Sequence, residues 1–99
     1  MVIIGMASFP PNSATEAGKL FPGLPSLADF ITRKGPYISG VKGEGIQTIS
    51  VYEFDNSKMA EAMISVGNYY AAMMDIPGYT YSVKVYNEIQ EALNMIGLG

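Results

Sequence analysis

The chain contains no cysteine, no histidine and no tryptophan. Without cysteine there are no disulfides, thiolate nucleophiles or cysteine metal sites. Without histidine there is no ordinary general base near neutral pH, and the commonest metal ligand is missing. Any catalysis falls to Tyr, Lys, Asp, Glu or Ser, and neither a bound metal nor a cofactor is expected. Charge is scarce as well. Charged residues make up 15% of the 99, against roughly 25% in an ordinary globular chain. The net charge is −3 with only six basic residues. They are dispersed at Lys19, Arg33, Lys34, Lys42, Lys58 and Lys84, which argues against a phosphate-tracking surface and against nucleic acid as a partner. No apolar run approaches the length of a membrane span, and "VIIGMA" has no basic region before it, so it does not read as a signal peptide. A cytoplasmic protein with no membrane partner is the expectation.

A chain of this length supports one domain with one core, residues 1–99. So small a domain keeps much of its chain at the surface. A charge-poor surface therefore implies a cover, and the commonest cover is a second copy of the chain in a two-fold dimer.

Val2 to Phe9, "VIIGMASF", is rich in β-branched residues and stopped by Pro10-Pro11, as a buried strand would be. Ser13 with Glu16 has the spacing of a capping box, which starts a helix near Ala14. "FPGLP" breaks that helix at Phe21–Pro25. Ser26 with Asp29 repeats the start signal, so "LADFITRK" reads as a second helical piece closed by Gly35-Pro36. Tyr37–Lys42 and Ile46–Phe54 then form a hairpin around Gly43-Glu44-Gly45. Asp55-Asn56-Ser57 offers N-cap chemistry. Met59, Ala62, Met63, Val66, Tyr70 and Met73 recur at helical spacing up to Pro77-Gly78. Tyr79 to Tyr86 alternates as a last strand, and residues 87–97 form a terminal helix.

The resulting order, strand–helix–strand–strand–helix–strand over residues 2–86 plus the terminal helix, is the ferredoxin-like pattern of an α+β fold. One sheet face meets the helices and the other is free. Tyr79, Tyr81, Val83 and Val85 should face the helices, leaving Thr80, Ser82, Lys84 and Tyr86 on the free side. In the neighbouring strand Ile49 and Val51 suit the helix side, which leaves Thr48, Ser50, Tyr52 and Phe54 on the free one.

With this order, size and charge poverty the chain resembles the dimeric α+β-barrel superfamily, in which two ferredoxin-like subunits bring their free sheet faces together. The resemblance implies ligands between sheet and helices or within the barrel. It covers cofactor-free oxygenases, muconolactone-isomerase-like enzymes, haem-handling enzymes and small proteins without known activity. The histidine-dependent haem sites and the tryptophan-containing oxygenase sites find no counterpart here, and no catalytic set carries over.

Each candidate residue also has a plainer reading. Tyr70, Tyr79 and Tyr81 have the spacing of core residues, as do Met59, Met63 and Met73. Tyr52 and Tyr86 instead could line a cavity with their hydroxyls orienting a ligand. Lys84 in mid-strand is either an ordinary edge-strand lysine or, inside a closed barrel, an anion site or base. "GVKGEG" sits in a hairpin and opens no helix, so it reads as a turn and not as a phosphate loop. Glu88 and Glu91 look like a solvated helix face. The expected function is therefore a homodimer that binds a small, partly apolar or aromatic molecule at its sheet face, with Tyr52, Lys84, Tyr86, Ser82 and Ser50 as candidate ligand-binding residues. A cofactor-independent isomerase or oxygenase, and an assembly subunit without ligand, are the alternatives.

Overall fold

Strand order follows directly from the pairing of alternating apolar segments. In a computed structural model describing all of residues 1–99, β1 (Val2–Phe9), β2 (Thr32–Val41), β3 (Gly45–Glu53) and β4 (Thr80–Tyr86) form one four-stranded sheet in the order β2-β3-β1-β4. Every neighbouring pair is antiparallel. Helix α1 (Ala14–Leu20) lies in the β1–β2 connection, α2 (Met59–Ala71) in the β3–β4 connection, and α3 (Ile89–Met95) follows β4. The fold is thus α+β, and no helix is long and apolar enough to cross a membrane.

Helix α2 covers the sheet for the reason its spacing indicates. Ala62, Val66, Tyr69 and Tyr70 are its buried residues, one stripe at helical period. Asp55 accepts a hydrogen bond from the Ser57 backbone N–H at 2.9 Å and so starts the preceding turn. The core joins this stripe to Ile3 and Ala7 of β1 and Tyr52 of β3, with Leu24, Leu27, Phe30 and Ile31 packed at its side.

The first connection departs from the sequence reading in two ways. Ser13 forms no side-chain cap; its hydroxyl donates instead to the Pro77 carbonyl at 2.7 Å, tying the α1 entrance to the loop before β4. The expected second helical piece is absent: residues 24–31 run as an irregular strap and β2 already begins at Thr32. The strap is pinned by Leu24, Leu27, Phe30 and Ile31 against the core and by the Ala28 N–H donating to Ser65 Oγ at 3.0 Å. Those apolar anchors and that hydrogen bond outweigh the local helix signal of Ser26 and Asp29. Gly35-Pro36 consequently ends no helix. It forms a bulge inside β2, between Lys34, paired with Val51, and Tyr37, paired with Ile49. Gly35 sits there at φ 106°, a left-handed conformation that a side chain would strain.

The molecule is flat. Its principal extents are 48 × 30 × 17 Å and its radius of gyration is 15.1 Å, where a compact chain of this length would have about 13 Å. Its accessible surface is 6310 Å², against about 5,500 Å² expected for this mass. Two apolar features lie uncovered: the sheet face away from α2, and helix α3, where Ile89 and Ile96 stand 75% and 69% exposed. Helix α3 is held by polar ends. Glu88 and Glu91 cap it reciprocally, and the Met1 ammonium pairs with Glu91 at 2.6 Å while donating to Asn56. That bond to the ammonium holds the Glu91 carboxyl below its usual range.

Candidate functional site

Alternation divides the sheet residues between two faces, and the pairing register states which residues share each. Ile3 lies opposite both Tyr52 and Val85, Gly5 opposite Ser50 and Val83, and Ala7 opposite Thr48 and Tyr81. This set faces α2. Ile4 lies opposite Val51 and Lys84, Met6 opposite Ile49 and Ser82, and Ser8 opposite Gln47 and Thr80. This second set forms the open face.

The register upholds the face reading for β4 and reverses it for β3. Tyr52 and Ser50, placed on the free face from sequence, are 0% and 1% exposed beneath α2. Ile49 and Val51 point to the open side instead. The cause is Gly5. A Cβ there would overlap the Tyr70 hydroxyl, so the missing side chain is what admits the Tyr70 ring end to the sheet surface. A buried hydroxyl needs partners, and β3 provides them: Tyr52 Oη donates to Tyr70 Oη at 3.0 Å, with the rings edge to face at 6.3 Å. The tyrosine network continues outward. Tyr79 Oη donates to the Tyr70 carbonyl at 3.1 Å, and Tyr81 stacks between Tyr70 and Tyr79. Burial, reinforced by the Tyr52 hydrogen bond, pushes the Tyr70 phenol well above its ordinary range, and burial does the same to Tyr79. These hydroxyls are interior structural groups, held protonated.

Replacing Tyr70 by Phe should therefore cost about 1–2 kcal/mol, because the Tyr52 hydroxyl is left buried without an acceptor. The double change Tyr52→Phe, Tyr70→Phe should cost less than the sum of the two single changes. A urea-unfolding double-mutant cycle measures this, and simple additivity would show that the two hydroxyls are not coupled.

The open face carries a groove of about 500 Å³ running across all four strands. Its walls combine Met6, Ile49 and Tyr37 with Ser82, Thr80 and Gln47, and no charged residue lines it. Tyr37 is 61% exposed and Met6 43%. The Ser8 and Thr80 hydroxyls are hydrogen-bonded to each other at 2.8 Å at one end. The groove offers apolar contact with neutral hydroxyl and amide groups around it, which suits an uncharged, partly apolar guest. Of the five residues singled out from sequence, Ser82 lines this groove. Lys84 and Tyr86 share its face but lie further along β4, opposite Ile4 and Val2. Tyr52 and Ser50 are on the other side of the sheet. Lys84 makes no hydrogen bond or ion pair within the chain. The convergence of Lys84 with a tyrosine hydroxyl, which acid–base chemistry there would require, is not made within the chain: no hydrogen bond joins Lys84 to any tyrosine.

Met6, Ile49 and Tyr37 were not among the residues expected to form a site. Met6 shares alternation with Val2 and Ile4 and was legible as the outward side of β1. Tyr37 was not, because the bulge before it resets the alternation of β2. No group of His, Cys, Asp or Glu is arranged to hold a metal ion.

Fold and site together define a small α+β domain with one tyrosine-filled interior and one bare, charge-poor sheet face. Comparison with protein-family models, with curated proteins and with solved structures gives no match for this chain.

Proposed function

We propose that the protein is a homodimer of ferredoxin-like subunits joined through their open sheet faces as a dimeric α+β barrel, and that the groove around Met6, Ile49, Tyr37 and Ser82 becomes a chamber for a small, neutral, partly apolar molecule. The observation that carries this reading is the groove itself: apolar and uncharged, yet left in water by the single chain. The strand order β2-β3-β1-β4, antiparallel throughout, supports the reading as a doubled split βαβ unit. The area agrees as well. The chain exposes about 800 Å² more than its mass predicts, which is the area each partner of a standard interface buries. Lys34 is neutralised by Glu53 at 3.2 Å, while Lys84 in the same row of the face has no partner in its own chain, so the dimer must leave Lys84 at the interface rim or pair it with a carboxylate of the second copy.

Light scattering on a gel-filtration column should give twice the chain mass at micromolar concentration. Ile49→Lys should yield a folded monomer, with dimer association weakened by at least about 100-fold, since each interface would bury two unpaired charges. 2-Naphthol, as a neutral aromatic probe, should bind saturably to the wild type and not to that monomer. A wild-type monomer at 100 µM or so would end the dimer reading. A dimer indifferent to Ile49→Lys would place the interface elsewhere.

A further inference from the structure

Arg33 is the only arginine in the chain. It lies on β2 opposite Tyr52, on the face turned toward α2, while the adjacent Lys34 faces the other way and pairs with Glu53. Its guanidinium donates to Tyr69 Oη at 3.0 Å and stands over the Tyr69 ring at 5.5 Å. It has no carboxylate partner in a chain that carries nine acidic residues. A guanidinium has five N–H donors, and only one of them is used here. Arg33 lines a groove of about 560 Å³ between the strap and β2, with Phe21, Leu24 and Leu27 as apolar wall and Tyr69 beside the cation. Arg33 is the one charged residue of that lining. Tyr69 is 8% exposed, so the hydrogen bond and the ring hold the guanidinium plane in place from beneath.

We infer that this groove is a second binding site, separate from the open face, and that it takes a small carboxylic acid with an apolar or aromatic body. The carboxylate accepts two N–H bonds from the free edge of the Arg33 fork, a geometry that matches carboxylate shape. The body of the acid lies along Phe21, Leu24 and Leu27. An ammonium cannot reproduce the fork, and a neutral amide of the same shape lacks the charge.

Benzoate is the probe, with benzamide as its neutral counterpart, titrated into the full-length protein and followed by amide and side-chain NMR shifts. Benzoate should give saturable shifts at Leu27 and Tyr69, and benzamide should bind at least about 10-fold more weakly. Arg33→Gln should weaken benzoate at least 10-fold, and Arg33→Lys should restore little of it. Ser26→Trp leaves Arg33 in place and fills the rim, and it should also abolish the shifts. Thermal melting of each variant, expected within a few degrees of wild type, separates lost binding from lost fold. No saturable shift with benzoate overturns the inference, as does equal binding of benzamide or unchanged binding by Arg33→Gln. The oligomeric state does not enter this test, so its outcome is independent of the open-face chamber.

Discussion

Above pH 10 the protein should lose about 3 kcal/mol of stability per pH unit, from Tyr70 and Tyr79 together. Both phenols are raised above their ordinary value, mainly by burial. In the unfolded chain they ionise near pH 10, while the fold keeps them protonated. The folded state then binds more protons than the unfolded one, so stability falls as pH rises. Below pH 10 both states are protonated and the contribution is fully present. Each phenol retained in this way changes the unfolding free energy by about 1.4 kcal/mol per pH unit. Tyr69 acts in the same direction, because its burial outweighs the pull of Arg33. A domain with the usual 5–15 kcal/mol in total would unfold within a few pH units. Urea midpoints measured from pH 8 to 11.5 should be flat and then fall. Absorbance at 295 nm should show the Tyr70 and Tyr79 phenols ionising only as the fold opens. A flat midpoint up to pH 11.5, or smooth ionisation of all tyrosines before unfolding, would contradict the burial-driven shift.

The second large effect is expected at Gly5. An added Cβ would overlap the Tyr70 hydroxyl and the ring carbons beside it. Ordinarily alanine in place of a mid-strand glycine gains about 0.5–1 kcal/mol from reduced backbone freedom. Here the overlap outweighs that gain. Tyr70 is 2% exposed and hydrogen-bonded to Tyr52, and it lies between neighbouring rings, so it has no vacant space to move into. Overpacking of this kind costs about 1–3 kcal/mol, occasionally more. Gly5→Ala should therefore lose about 1–2 kcal/mol net and Gly5→Val about 3 kcal/mol or more. Combining Gly5→Ala with Tyr70→Leu should cost clearly less than the separate losses combined, because the truncated side chain frees the space. Chemical denaturation reads all of these. A Gly5→Ala protein as stable as wild type would mean that the Tyr70 ring is mobile after all.

The same glycine marks the limit of what could be read from sequence. Order of elements, the stripe of α2 and the two sides of β4 followed from periodicity, because apolar residues there keep to one side. In β3 that criterion misleads. Its aliphatic residues Ile49 and Val51 face outward, and a tyrosine and a serine occupy the interior. Only the pairing of Gly5 with Ser50 explains it, and pairing register is a long-range property that no local window contains. Residues 26–34 were misread for a related reason. Leu27, Phe30 and Ile31 are spaced acceptably for a helix, yet they anchor a strap whose partners lie on α2 and β1. The candidate residues divide accordingly: Tyr52 and Ser50 lie beneath α2, and Ser82 lines a groove with Met6, Ile49 and Tyr37.

One residue too many in β2 has a further effect. Alternation is a two-beat rhythm, and the extra position at Gly35-Pro36 makes β2 skip half a beat relative to β3. Upstream of the skip, Arg33 is turned to the interior side and Lys34 to the open one. Downstream, Tyr37 falls on the open side and Ile38 does not. A strand in strict time would bring Ile38, and not Tyr37, into phase with the outward residues of β3. The mis-step thus puts the Tyr37 phenol in phase with Ile49 on the open side while leaving Arg33 in phase with the other pocket.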